Sequence, residues 1–139
     1  MERKIFLADD DRDDWFILED AMSQINAEEA VDFFINGEHL IKGMEDAYHS
    51  GNLPCLIVLD LNMPRMNGTE ILGMIKQDNR FSDIPVIIYS TSINVLERKK
   101  CLELGAKDYI TKPVTSAESI DIARFLYSFC LSIAATANS

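Results

Sequence analysis

The chain has 139 residues, a formal net charge of −10 and a hydrophobic fraction of 47%, values that suit one globular domain. Its acidic balance and its lack of any Lys/Arg-rich segment exclude a nucleic-acid surface. It has neither an apolar run of membrane-spanning length nor a signal-peptide core, so we expect a cytoplasmic protein with no membrane partner. Three widely spaced cysteines, Cys55, Cys101 and Cys130, predict reduced thiols rather than a disulfide framework.

Short apolar runs alternate with longer amphipathic segments in five consecutive β-α units. The apolar runs predict buried strands, and apolar residues that recur at helical spacing predict the helices between them. Strands are expected at 4–8, 31–35, 55–59, 85–89 and 107–111, and helices at about 13–25, 38–48, 67–77, 95–104 and 116–132. This alternation predicts an α/β fold with a parallel sheet and helices on both faces. We expect one domain over 1–133 and a short flexible tail over 134–139.

Polar residues directly follow four of the five predicted strands. They are Asp9 and Asp10, Asp60, Ser90 and Thr91, and Lys112. Because the carboxyl ends of parallel strands meet at one edge of a sheet, where ligands bind, these side chains should converge. Clustered carboxylates repel unless a cation is present, and Mg²⁺ prefers such oxygen ligands. A carboxylate beside Mg²⁺ and an ammonium group can act as a nucleophile on phosphorus.

Four motifs at these strand ends resemble the response-regulator receiver family of bacterial two-component signalling. They are LADDD (7–11), LIVLDLNMPRMNG (56–68), PVIIYSTS (85–92) and GAKDYITKP (105–113), in a match over roughly residues 3–131. The resemblance implies a flavodoxin-like, doubly wound sheet of strand order 2-1-3-4-5 with five helices. It also implies a receiver that catalyses its own phosphoryl transfer and dephosphorylation, and not an enzyme acting on an external substrate.

Carried over residue by residue, the resemblance assigns the phosphoryl chemistry. Asp60 would accept a phosphoryl group from a sensor histidine kinase or a phosphotransfer protein. Asp9 and Asp10 would hold Mg²⁺, with Asp10 the more direct ligand, and Asp60 and the backbone carbonyl of Asn62 would complete the protein ligands. Lys112 would contact the phosphoryl group. The resemblance implies no cofactor other than Mg²⁺.

The same resemblance assigns the switch residues. Ser90 takes the position of the switch hydroxyl, and Thr91 beside it is an alternative donor. Tyr109 matches the switch aromatic, and the Lys112–Pro113 peptide bond is expected to be cis. Details such as GNLP, STS and YITKPV resemble single-domain regulators that partner phytochrome-type or hybrid histidine kinases. Output, including a homodimer, is expected through the face of the fourth helix, fifth strand and fifth helix.

Two other functions would require different residues at these positions. A receiver-like binding module without chemistry would have lost an acid or the lysine, whereas an aspartyl-phosphate phosphatase would carry Asp-x-Asp where this chain has Asp60-Leu61-Asn62. Asp13 and Asp14 are assigned to the N-terminus of the first helix, where acidic residues favour the helix dipole.

Overall fold

The computed structural model describes the backbone of residues 3–137 and the side chains of residues 3–132. Five strands alternate with five helices along this part of the chain. In order they are β1 (Ile5–Ala8), α1 (Arg12–Gln24), β2 (Val31–Phe34), α2 (Gly37–Ser50), β3 (Leu56–Asp60), α3 (Gly68–Gln77), β4 (Val86–Ser90), α4 (Val95–Glu103), β5 (Asp108–Thr111) and α5 (Ser116–Ala137). Within the described residues, no helix has the length and apolar character needed to cross a membrane.

The strands form one parallel sheet in the order β2-β1-β3-β4-β5, which confirms the predicted fold and strand order. Two strands end one residue later than predicted, because Asp60 pairs with Tyr89 and Ser90 pairs with Thr111 in the parallel ladder. The apolar pattern stops before the hydrogen-bonded ladder does. Asp60 and Ser90 are therefore the last residues of their strands and are held by the sheet.

The core lies on both faces of the sheet because successive strand residues point to opposite sides. On one face, Ile57 and Leu59 pack with residues of α2 and α3. On the other face, Leu56 and Val58 pack with residues of α1 and α5. Every residue of β3 is buried, as expected for the middle strand of a sheet that is covered on both sides.

Polar residues begin the helices that follow the site-forming strands. The Asn67 side chain accepts a hydrogen bond from the N–H of Glu70 at 3.0 Å, and Asn94 accepts from Leu96 and Glu97 at the start of α4. Such caps satisfy N–H groups that the helix itself leaves unpaired. Gly105 follows α4 with a φ of 109°, a conformation that glycine adopts without a steric cost.

Two expectations from the sequence are wrong. The first concerns the thiols: the sulfur atoms of Cys55 and Cys130 are paired as a disulfide, with Cα atoms 5.4 Å apart, and Cys101 is the free cysteine. The sequence does not indicate this pair, because the fold brings together two residues that are separated by 75 positions. The second concerns the Lys112–Pro113 bond, which is trans, since the described chain has no cis peptide bond. Trans is the intrinsically favoured isomer of an X–Pro bond, by a small margin.

The predicted division into a domain over 1–133 and a tail over 134–139 stays a prediction. Helix α5 extends to Ala137, beyond the predicted helix end at 132, while the side chains from 133 onward lie outside the described residues.

Candidate functional site

Three carboxylates meet at the carboxyl edge of the sheet. Asp9 and Asp10 follow β1 and Asp60 ends β3, and one oxygen from each lies within 4.8 Å of the others. Asp9 is fully buried and Asp60 is 5% exposed, whereas Asp10 is open to solvent. Burial raises the pKa of Asp10, and the nearby negative charge of Asp60 contributes to the same shift. The cluster is therefore buried on the sheet side and accessible from solvent on the other.

Asp9 has one carboxylate oxygen with no hydrogen bond from the described residues. Its Oδ1 accepts from the N–H of Asp11 at 2.9 Å, but its buried Oδ2 accepts none and has only the charge of the Lys112 ammonium 2.9 Å away. Burial raises the pKa of Asp9 to about 7, although Lys112 and the Asp11 N–H act in the opposite direction. A divalent cation would relieve this penalty, so the donor set fits a hard metal such as Mg²⁺.

The Lys112 ammonium lies among three carboxylates. Its Nζ is 2.7 Å from Asp14 Oδ2, 2.9 Å from Asp9 Oδ2 and 3.5 Å from Asp60 Oδ2, and the ring of Tyr89 lies 5.5 Å away. Burial alone would lower the pKa of Lys112. The hydrogen bond to Asp14 and the ion pairs with Asp9 and Asp60 outweigh burial and raise the pKa of Lys112, so the ammonium is charged at neutral pH.

The loop after β3 is fixed by close backbone packing. The N–H of Asn62 donates to Asp60 Oδ1 at 3.3 Å, and the N–H of Gly68 donates to the carbonyl of Leu61 at 3.0 Å. A Cβ at position 68 would lie 2.6 Å from the carbonyl oxygen of Asp60 and 2.9 Å from the Cα of Leu61. Only glycine therefore fits here without moving the backbone of Asp60.

The structure distinguishes the two neighbouring hydroxyl residues. Ser90 is fully buried at the end of β4, and its Oγ accepts from the N–H of Ser92 at 3.1 Å. Thr91 is exposed. The backbone N–H of Lys112 donates to the carbonyl of Ser90 at 2.8 Å, which joins the predicted hydroxyl and the predicted ammonium residue directly.

Tyr109 is buried on β5 and links that strand to α4. Its hydroxyl group has two acceptors, Glu97 Oε1 at 2.8 Å and the carbonyl of Ser92 at 3.0 Å. Burial raises the pKa of Tyr109, so the hydroxyl keeps its proton and acts as the donor. The side chain thereby ties the segment after Ser90 to the sheet.

Trp15 lies against the acidic pair. Its Nε1 donates to the backbone carbonyl of Asp9 at 2.6 Å, and its ring stacks on Phe33 at 5.3 Å. Its indole should therefore respond to ions that bind at the cluster.

Most of the predicted site residues come together at this edge, and one residue was missed. Asp9, Asp10, Asp60 and Lys112 form one cluster. Asp14, assigned from the sequence to the helix N-terminus alone, makes the shortest contact to Lys112. Residue type and position gave no signal for this contact, because the two residues are 98 positions apart.

Comparisons with known proteins agree with this geometry. The family model of the response regulator receiver domain matches residues 5–124. Chemotaxis protein CheY1 of Helicobacter pylori is 30% identical over 112 residues, which cover 81% of this chain and 86% of that protein. Other relatives include histidine kinases and further two-component response regulators. A histidine kinase is therefore the general class of partner that the relatives support.

Solved structures give the same result. The phosphorylated cyanobacterial phytochrome response regulator RcpA has a TM-score of 0.83 at 30% identity, covering 95% of this chain and 96% of that chain. The Mn²⁺-bound form of response regulator Rcp1 has a TM-score of 0.73 at 26% identity, with coverages of 91% and 93%. Both of these solved structures are of response regulators. The chain belongs to the response regulator receiver domain family and is a response regulator of two-component signalling.

Proposed function

We propose that Asp60 accepts a phosphoryl group from a histidine kinase or a phosphotransfer protein, and that Mg²⁺ binds beside it. The observation that carries this proposal is the convergence of the Asp9, Asp10 and Asp60 carboxylates next to the Lys112 ammonium. Two similar proteins add support, since RcpA was solved in a phosphorylated form and Rcp1 with Mn²⁺.

Asp60 would act as the nucleophile. One of its carboxylate oxygens forms a bond to phosphorus while the bond from phosphorus to the donor's imidazole nitrogen breaks, and that nitrogen leaves with the electron pair. Lys112 Nζ, 3.5 Å from Asp60 Oδ2, is placed to neutralise a phosphoryl oxygen. Catalysis of this kind depends on positioning and on charge stabilisation. The buried hydroxyl of Ser90 would donate a hydrogen bond to a second phosphoryl oxygen.

The metal ion would be held by the carboxylates of Asp9, Asp10 and Asp60 and by the backbone carbonyl of Asn62. Bound Mg²⁺ would supply positive charge that the carboxylates and the phosphoryl oxygens both need. The support for this ligand set is Asp9 Oδ2, which is buried, accepts no hydrogen bond from the described residues and carries a negative charge at neutral pH only at a cost.

The switch would pass from Ser90 to Tyr109. When the Ser90 hydroxyl turns toward a phosphoryl oxygen, it gives up the hydrogen bond from Ser92. Ser92 also accepts from Tyr109, so the segment between β4 and α4 would rearrange and change the α4-β5-α5 face. Exposed Thr91 is the less favourable donor for this role, since it points to solvent.

The α4-β5-α5 face would form the protein contacts of the active state, including a homodimer. Apolar side chains that are exposed on or beside its two helices support this role: Val95, Leu96, Leu102 and Phe125. We further propose that the protein works in the cytoplasm without nucleic acid, consistent with its net charge of −10.

Intact-mass spectrometry with acetyl phosphate as the phosphoryl donor tests the proposal. The wild type should gain one phosphoryl group when Mg²⁺ is present and none when the metal is chelated. Asp60→Asn should gain none under either condition. A phosphorylation-independent binding module would show no mass gain in the wild type, and that result would reject the proposed function.

A further inference from the structure

We infer that Asp14 is a positioning residue that holds the Lys112 ammonium in the resting state and competes with the phosphoryl group for it. This inference rests on the proposed transfer to Asp60 and adds a residue to it. Asp14 would not touch the phosphoryl group. It would act through Lys112, because the ammonium must weaken its contact with Asp14 before it can bind a phosphoryl oxygen.

The contacts of Lys112 place its charge nearer to Asp14 than to the proposed acceptor. Nζ is 2.7 Å from Asp14 Oδ2 but 3.5 Å from Asp60 Oδ2, a distance too long for a strong hydrogen bond. The Asp14 carboxylate is only 24% exposed and the Lys112 side chain 9%, so solvent screens this pair less than it would a surface pair.

The ordinary role of an acidic residue at this position does not explain the contact. Asp14 is the third residue of α1, where a carboxylate often reaches back to the N–H of the capping residue. Here the N–H of the cap, Asp11, already donates to Asp9 Oδ1 at 2.9 Å. The Asp14 carboxylate instead accepts a hydrogen bond from Lys112 Nζ. Asp14 therefore contacts the site through Lys112 and does not cap its own helix.

The competition follows from the number of acceptors around one ammonium group. Lys112 has three N–H donors and no acceptor, and it faces the carboxylates of Asp9, Asp14 and Asp60. A phosphoryl group on Asp60 adds further negatively charged oxygens that require the same ammonium. Any resting contact that must weaken on phosphorylation lowers the apparent affinity for the phosphoryl group. The Asp14–Lys112 pair is such a contact, and it therefore favours the unphosphorylated state.

Calorimetric titration with beryllofluoride, a phosphoryl analogue, at a fixed saturating Mg²⁺ concentration tests the inference. The variant is Asp14→Asn, which removes the charge and preserves the shape. The matched control is Asp13→Asn, which makes the same change one residue away in the same helical turn. Asp13 has an exposed side chain, and its carboxylate makes no ion pair or hydrogen bond within the described part of the chain. The control therefore measures the general effect of removing one negative charge near an anion site.

Asp14→Asn should bind beryllofluoride about threefold to tenfold more tightly than the wild type, the effect of about one charged hydrogen bond partly screened by solvent. Asp13→Asn should stay within about twofold of the wild type. In metal-free protein, the NMR signal of the Lys112 side-chain ammonium should move in Asp14→Asn and not in Asp13→Asn, which reports the contact itself.

Equal tightening in the two variants, or weaker binding by Asp14→Asn, would overturn the role of Asp14 while leaving phosphoryl transfer to Asp60 intact. Failure of the wild type to bind beryllofluoride with Mg²⁺ would be a different result. It would reject the proposed function and, with it, this inference.

Discussion

Replacing Asp9 with asparagine should make the metal-free protein more stable at neutral and alkaline pH. The carboxylate of Asp9 is fully buried, and its Oδ2 accepts no hydrogen bond from the described residues. Asparagine keeps the size of the side chain and removes the charge that burial disfavours. The protein would thus become more stable by losing the Asp9 carboxylate, which the proposed metal binding needs.

The magnitude follows from the pKa of Asp9, which is raised from 3.8 to about 7 by burial. Each pKa unit corresponds to about 1.4 kcal/mol, so the cost of keeping the carboxylate charged in the folded protein is at most about 4 kcal/mol. Water penetration and local relaxation reduce such costs. We therefore expect Asp9→Asn to raise the free energy of unfolding by about 2 kcal/mol above pH 7.

The sign of the pH dependence is fixed by the direction of the shift. Because the pKa of Asp9 is higher in the folded than in the unfolded state, the unfolded state releases this proton first as pH rises. Stability should therefore fall between about pH 4 and pH 7 in the wild type. This contribution to the fall should be missing in Asp9→Asn.

Urea unfolding followed by circular dichroism in EDTA, from pH 4 to pH 8, measures both effects. The two proteins should have similar stability at pH 4 and diverge as pH rises. Adding Mg²⁺ at pH 8 should stabilise the wild type more than the variant, because only the wild type retains the full proposed ligand set. A variant that is less stable than the wild type at pH 8 in EDTA would show that the buried charge of Asp9 does not destabilise the metal-free fold.

Three further predictions concern other parts of the fold. The disulfide between Cys55 and Cys130 should contribute about 2–4 kcal/mol to the free energy of unfolding, measured by denaturant titration with and without reductant. Three reactive thiols in unfolded, unreduced protein would show that the disulfide is absent. Gly68→Ala should cost about 2 kcal/mol by thermal or urea unfolding, since its Cβ meets backbone atoms; an unchanged midpoint would show that the loop adapts freely. Tyr109→Phe should cost about 1 kcal/mol by removing the donor to Glu97, and a more stable variant would argue against that hydrogen bond.

The sequence was sufficient to predict the sheet and the centre of the site. Each strand is a short apolar run, and the change from apolar to polar residues marks where Asp9, Asp60 and Lys112 stand. In a parallel sheet those positions must share one edge. The roles of Gly68 in the loop after β3 and of Asn67 and Asn94 as helix caps depend only on residues nearby in the sequence.

The rest depended on distances that no local pattern encodes. Asp14 meets Lys112 from 98 positions away, so the sequence suggested only its role at the helix start. Cys55 and Cys130 meet because α5 packs over β3, and an odd cysteine count argued against any such pair. The ends of β3 and β4 were misplaced by one residue because backbone pairing extends past the last apolar side chain.

The position of the phosphoryl group within the chain shows directly whether Asp60 is the acceptor. Protein treated with acetyl phosphate and Mg²⁺ would be reduced with borohydride, which converts an aspartyl phosphate to a stable alcohol, and then digested and sequenced by mass spectrometry. We expect the altered residue to be Asp60, and chelating Mg²⁺ should abolish the change. An altered residue elsewhere, or the same modification in Asp60→Asn, would contradict it.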